Sequence, residues 1–398
     1  NSTFRSRTPE PTTRLFELPA FFLSLSESRD TGTFASLDGA VAPIRHVAGD
    51  LATHRTASAG HRTLNFFGPA GDLHLPNDGV PGPRFAVAGR VNAGHARRLR
   101  PTLQRTANRD LSAAEPLALV AETWAAWGPQ SLEHLEGDFG FVVIDLEQGT
   151  AWIASDRFAV VPLHYAASHG ELLVSNILHS VVKATGTQDE LAEDALADFL
   201  LFGHSQNTAA TIYRGINRLA PASCVQWTGE LGEPSTWWTL PGSLEEPTGS
   251  DEDIAAELRD RLERAVACGR DGRPTCVLTS SGMDSTSLAA LSAKLSQQQP
   301  ACGPTRMATL ETPELPDLSE LELSIRFAEA LGVEHLSFST PTGGLLDLPE
   351  ESSWPAPEPW WHQWNRTMQP CMNQIAETVD LGMTGQGGDL VLYPNPDF

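Results

Sequence analysis

Lysine is nearly absent from these 398 residues: only Lys183 and Lys294 occur, and with arginine the bases number 27 against 50 acids. The formal net charge of −23 repels phosphate backbones and anionic bilayers, which argues against nucleic acid or a membrane surface as a partner. A small ligand or a basic partner suits this charge better. Cysteine is scarce too: Cys224, Cys268, Cys276, Cys302 and Cys371 are odd in number, widely spaced and never arranged as C-x-x-C. Neither a disulfide framework nor a zinc site follows from such a set, and a reducing compartment suits it. No apolar run approaches the roughly 18 residues that span a bilayer, and Phe21 to Leu25 is too short for a signal-peptide core. We therefore expect a soluble, cytoplasmic protein. Repeats and low-complexity tracts are also missing.

What is present suffices for two packed domains: 40% of the residues are apolar and 19% charged. Breakers gather between Pro234 and Ser250, which we read as a linker. It divides a first domain over 1–240 from a second over 250–398. In the first, strand-length apolar runs (Phe85 to Ala88, Gly140 to Asp145, Ala151 to Ala154, Leu172 to Ser175, Cys224 to Trp227) are interrupted by helical stretches at Glu115 to Trp127 and Leu191 to Phe202. That mixture predicts a layered α+β domain.

After residue 250 the rhythm becomes strand, helix, strand, helix. Ile254, Leu258 and Leu262 recur at i+4 in a predicted helix closed by Gly269, and Cys276 to Thr279 reads as a buried strand. Thr286 to Leu295 reads as a helix, Met307 to Leu310 as a strand, and Leu318 to Leu331 as a helix closed by Gly332. Such alternation predicts an α/β domain with a parallel sheet covered by helices on both faces, its ligand at the carboxyl ends of the strands.

The stretch that carries chemistry is Thr279-Ser280-Ser281-Gly282-Met283-Asp284-Ser285, between a strand and a helix. Small residues let the backbone turn tightly there, so N–H groups and hydroxyls converge on a phosphate at the helix N-terminus. Asp284 would repel a bare anion, and its presence makes sense if it holds Mg²⁺ bridging phosphate oxygens. A Walker loop is excluded, because neither lysine lies in Gly-Lys-Ser or Gly-Lys-Thr. A second turn, Thr384-Gly385-Gln386-Gly387-Gly388-Asp389, also follows an apolar strand. If the two strands are parallel neighbours, both turns share one sheet edge and Asp284 and Asp389 can share the metal. The competing reading of the first turn is a plain helix N-cap.

These motifs resemble the Ser-Gly-Gly-x-Asp-Ser pyrophosphatase loop and the Ser-Gly-x-Gly-x-Asp turn of the asparagine synthetase superfamily. In the first domain, Leu135-Glu136-Gly137-Asp138-Phe139-Gly140-Phe141, Ala154-Ser155-Asp156-Arg157-Phe158 and Pro162-Leu163-His164-Tyr165 are similar to that family's glutaminase-like domain. Val87-Ala88-Gly89-Arg90-Val91-Asn92 resembles its Asn-Gly-Glu-Ile strand turn. The resemblance spans about residues 80 to 390. It implies an N-terminal Ntn-type glutaminase-like layered domain, then a pyrophosphatase-loop domain of the adenine nucleotide α-hydrolase-like type. It implies ATP and Mg²⁺ as cofactors. A carboxylate is activated as an acyl-adenylate, pyrophosphate leaves, and an amine attacks. By position, Ser280, Ser281, Gly282, Asp284 and Ser285 would hold the pyrophosphate, Thr279, Thr384 and Gly385 would line the adenosine pocket, and Asp284 and Asp389 would hold Mg²⁺.

Departures from the family pattern narrow the choice. Asparagine synthetases use an N-terminal cysteine to hydrolyse glutamine; here no cysteine precedes Cys224, and Arg90 replaces the glutamine-binding Glu. The first domain is therefore expected to make no ammonia. Gln386 stands between two glycines where those enzymes have Glu and β-lactam synthetases have Tyr, and an amide cannot act as a base at neutral pH. Ser281 replaces a family Gly. What remains resembles the lasso-peptide macrolactam synthetases, which activate an Asp or Glu side chain of a leader-free precursor peptide for attack by its N-terminal amine. A leader peptidase and a leader-recognition protein would be the partners. Trp354, Trp360, Trp361 and Trp364 would line a wide peptide entrance, with Glu358 orienting the amine; the plainer readings are a packed loop and a solvated carboxylate. His362 reads as a surface histidine. Asparagine synthesis, from glutamine or ammonia, β-lactam-type closure and a catalytically silent scaffold are the alternatives, and the second domain reads as continuing into further C-terminal helices.

Overall fold

The computed structural model describes residues 20–26, 52–76, 84–91, 99–107, 110–112, 114–203, 205–242, 248–270, 272–311, 319–339, 358, 374–375, 377–379 and 381–388. The chain divides into two compact units, one built on Leu18–Ile254 with 348–361, the other on Ala255–Asp347 with 362–398 and the N-terminal residues.

The first unit is built on two six-stranded antiparallel sheets. One runs β10 (Asn217–Arg218), β8 (His164–Ser168), β9 (Glu171–Ser175), β1 (Phe22–Ser26), β3 (Arg62–Pro69), β2 (Ala52–Ala59). The other runs β12 (Ser235–Thr236), β11 (Ser223–Trp227), β7 (Thr150–Ser155), β6 (Phe139–Asp145), β5 (Phe85–Val91), β4 (Leu73–His74). Leu23, Leu25, Leu64 and Phe66 of the first sheet and Val142, Ile144, Ile153 and Trp227 of the second form one buried core between them. The alternation in β3, every second residue buried, is what a strand covered on one face requires.

Two helices cover the outer faces. Leu178, Val181 and Val182 of α3 (Leu178–Thr185) pack with Phe22 and Leu173, and Leu117, Val120 and Trp124 of α2 (Pro116–Trp127) pack with Val87, Phe141 and Val143. The order is helix, sheet, sheet, helix, in agreement with the layered α+β expectation. Two further helices, α1 (Arg100–Ala107) and α4 (Glu193–Phe202), complete the unit. Asp156, in one of the motifs quoted above, is buried and its carboxylate accepts the N–H groups of Phe139, Phe158 and Val160, so it fastens the turn after β7. The expected linker begins too early: β12 pairs with β11, and Trp237 stacks on Phe139 with ring centroids 6.1 Å apart. Tryptophans among the breakers give that segment apolar surface to bury.

The second unit is a four-stranded parallel sheet in the order β15 (Glu334–Ser339), β14 (Thr305–Glu311), β13 (Thr275–Leu278), β16 (Leu381–Thr384). Ala289 of α6 (Met283–Gln298) and Ala328 of α7 (Leu321–Leu331) pack on Val277 and Met307 on one face, while Ile375 and Val379 pack on Cys276 and Ala308 on the other. The helix α5 (Asp251–Arg270) runs through Gly269 instead of stopping there. Its last residue explains this: the fully buried Arg270 donates from Nη1 to the Ser292 carbonyl (2.6 Å) and Thr305 Oγ1 (3.0 Å), and from Nη2 to the Cys302 and Gly303 carbonyls. The left-handed glycine that follows is Gly272, at φ +77°. Gly332 does cap α7, at φ +68°.

Candidate functional site

β13 ends at Leu278, and Leu278 pairs with Thr384, the last residue of β16. Parallel neighbours with that register put the two Gly-rich turns side by side at the carboxyl edge of the sheet. The sequence expectation for the motifs depended on this pairing, and the fold has it.

The first turn leads into α6 through Gly282, an extended N-cap residue (φ −72°, ψ 160°) that forms no side-chain cap bond. Gly282 is itself an acceptable N-cap, as the competing reading allows, and having no side chain it leaves the first-turn N–H groups uncapped. The first-turn N–H groups and the positive end of the helix dipole are thus available to an anion. Ser280, Gly282 and Met283 are exposed, so the turn is open. Ser285 is buried and its Oγ accepts the Ser280 N–H at 3.2 Å, bracing the loop from inside. The Thr279 side chain is buried as well, its Oγ1 lying 3.3 Å from the Ala308 carbonyl and 3.4 Å from Thr309 Oγ1. Ser281 is left-handed, at φ +53°, and its hydroxyl reaches the Glu320 carbonyl at 3.1 Å.

The second turn packs onto the first. A Cβ placed on Gly388 would lie 2.5 Å from Asp284 Oδ2, and one on Gly385 would lie 2.7 Å from the Ser285 backbone nitrogen. A side chain at 385 would meet backbone of the first motif, and one at 388 would force the Asp284 carboxylate to move. Gly387 is left-handed at φ +89°, and Thr384 and Gln386 are exposed beside it. Asp389, Trp354, Trp360, Trp361, His362 and Trp364 lie outside the described residues. Thr279, Ser280, Ser281, Gly282, Asp284, Ser285, Thr384, Gly385 and Gln386 therefore form one cluster. No group of three or more acidic, His or Cys side chains fit to hold a metal occurs among the described residues. Asp284 is a carboxylate at the joint of the two turns, next to Gly385 and Gly388.

Glu358 is on the other unit of the chain. It belongs with the first unit, where one carboxylate oxygen pairs with the Arg218 guanidinium and the other accepts the Ile212 N–H at 3.0 Å. Arg90 is half-buried on β5, opposite Gly140. Near it the Asp72 carboxyl is pushed up to about 6, chiefly by burial, with the Arg90 charge acting the other way. Sequence reasoning missed Glu320, Ser324 and the pressing of Gly388 on Asp284; the first two carry no motif at all.

Two family descriptions match the chain: a glutamine amidotransferase domain over residues 95–238 and asparagine synthase over residues 257–398. A stretch similar to an amidotransferase domain is thus followed by one similar to asparagine synthase. These matches and the relatives support the asparagine synthetase superfamily. The amidase chyE of Penicillium rubens is 27% identical over 248 residues, covering 59% of this chain and 36% of that protein. A Bacillus subtilis protein named asparagine synthetase [glutamine-hydrolyzing] 3 is 23% identical over 176 residues, covering 44% of this chain and 28% of its own length. The chain thus spans roughly a third of these relatives. A solved B. subtilis glutamine phosphoribosylpyrophosphate amidotransferase covers 80% of this chain and 90% of its own at 11% identity, with a TM-score of 0.37, a likeness too weak to bear on the fold. The asparagine synthase-type match contains both Gly-rich turns, and the amidotransferase-type match contains the Asp156 turn. Among the described residues no helix is long and apolar enough to cross a membrane.

Proposed function

We propose that this chain is an ATP-dependent amide-forming synthetase whose amine comes with the substrate, most closely a macrolactam synthetase of the lasso-peptide type. The observation that carries the reading is the pairing of β13 with β16, which sets the Asp284 turn and the Gly385–Gly388 turn against each other at the open N-terminus of α6. The carboxylate oxygen of a substrate Asp or Glu attacks the α-phosphorus of ATP, the bond to pyrophosphate breaks, and an amine nitrogen then displaces AMP. The α6 N-terminus, the Ser280 hydroxyl and the Ser281 backbone N–H would bind the departing pyrophosphate through fixed dipoles. Asp284, with Asp389, would hold Mg²⁺, whose contribution is to neutralise charge on the phosphate oxygens.

Arg90 and Gln386 support an amine supplied by the substrate. A guanidinium on β5 is the wrong charge for the ammonium group of a bound glutamine, and an exposed amide at 386 cannot serve where a carboxylate is needed. The peptide substrate, its leader peptidase and its leader-recognition protein enter with this reading. The second reading, asparagine-type synthesis, is favoured by the likeness to a B. subtilis asparagine synthetase.

Pyrophosphate release from Mg·ATP separates these readings. Release that requires a leader-free peptide with an internal Asp or Glu, together with loss of one water from that peptide by mass spectrometry, is the expected result. Release with aspartate and ammonia instead would select asparagine-type synthesis. No release with any carboxylate would leave a scaffold.

A further inference from the structure

Ser281 occupies a left-handed backbone conformation, φ +53°, that glycine enters freely and an L-residue enters only when its surroundings hold it there. The holding groups come from α7. The Ser281 hydroxyl donates to the Glu320 carbonyl at 3.1 Å, which leaves its oxygen lone pairs for the Ser324 hydroxyl, 3.3 Å away. Ser324 is completely buried, and its Oγ also lies 3.5 Å from Thr279 Oγ1. Its own N–H donates to the same Glu320 carbonyl at 3.0 Å. One side chain on a neighbouring helix thus contacts both ends of the three-residue bend 279–281.

We infer that Ser324 is a positioning residue for the phosphate-binding turn, and that the Ser281–Ser324 hydroxyl pair does by hydrogen bonding what a glycine at 281 would do by conformational freedom. The inference rests on the reading of this turn as the ATP pyrophosphate site. Its signature is dependence between the two positions: Ser324 matters because residue 281 is a serine. In a chain with glycine at 281 the bend forms unaided, and the Ser324 hydroxyl has nothing left to hold.

The test measures Mg·ATP dissociation constants by calorimetry for the unaltered chain, Ser324→Ala, Ser281→Gly and the double variant. Ser324→Ala should weaken binding about five- to tenfold in the serine background and less than about twofold in the glycine background. Equal losses in both backgrounds, or none in either, overturn the inference while leaving the ATP site standing. Failure of the unaltered chain to bind Mg·ATP removes the functional reading and this inference with it. Should Ser324→Ala not fold, Ser281→Ala serves: it keeps the strained backbone without the hydroxyl and should weaken binding by a similar factor. Binding unchanged in Ser281→Ala overturns the inference.

Discussion

Asp284 lies where the two turns meet, and its carboxylate is the group that Gly388 approaches. Asp284→Asn preserves volume and hydrogen bonding but removes the charge that would hold Mg²⁺. Pyrophosphate release should fall at least about a hundredfold, with far-UV circular dichroism and the unfolding midpoint unchanged within error. Retained release at high Mg²⁺ would remove Asp284 from the metal site. His164 makes a different kind of prediction. Burial and the nearby Arg218 charge hold this histidine down to about 3, against an ordinary value of 6.5. Above about pH 6.5 it is neutral folded or unfolded; below, the unfolded chain takes up a proton that the folded chain refuses. Stability should therefore decline as pH falls from about 6.5 toward 3, by a few kcal/mol in total. In His164→Gln the urea midpoint should fall less steeply over that interval. The Ser-Gly-Asp run was readable because small residues beside an acid have few uses between a strand and a helix. Ser324 was not, since a lone serine on a helix acquires a role only when the fold brings it to residues 279 and 281. The Glu358 pairing with Arg218, 140 positions away, was equally hidden.

Individual elements carry tighter constraints. Gly388→Ala should displace the Asp284 carboxylate or the whole second turn, since no Cβ tolerates an oxygen at 2.5 Å. Mg·ATP affinity should drop about tenfold or more, while a substitution at the exposed Gln386 should leave affinity near that of the unaltered chain. Unchanged affinity in Gly388→Ala would show that the second turn takes no part in binding. Arg270 joins α5, α6, the segment before β14 and β14 itself through neutral acceptors only. Arg270→Met fills the space but removes the donor from all five acceptors, of which Thr305, Ser296 and Gly303 keep other partners, so the second unit should lose about 2–4 kcal/mol in denaturant unfolding. Strands and helices with regular apolar spacing, such as β6, β13 and α7, were legible within a few residues. The β2–β3 hairpin was not, because Thr53, His54, Arg55 and Thr56 are exposed and carry no alternation. Its position is fixed by pairing with β3.

Over the whole molecule, charge and chain path set the conditions for the site. After position 250 the chain holds 23 acids against nine bases, so a polyanion approaches an unfavourable field and must rely on local dipoles and a metal. Free ATP should bind much more weakly than Mg·ATP, and the gap should narrow as salt rises from about 0.05 to 0.5 M, when the field is screened within a few ångströms. A gap independent of salt would assign the metal's effect to direct coordination alone. The two-part organisation was visible in the shift of rhythm near residue 240, and the packed Trp237 lies within the first domain expected up to that point.

The pairing of Leu278 with Thr384 also has a meaning in time. Closing a loop of about a hundred residues is slow compared with forming local helices, and the second turn is among the last parts of this sheet to be synthesised. On this path the pair of turns is a late product of folding. Until β16 docks, the first turn exists without the glycines that pack against it, so a ligand that needs both turns would stabilise this domain only after its sheet has closed.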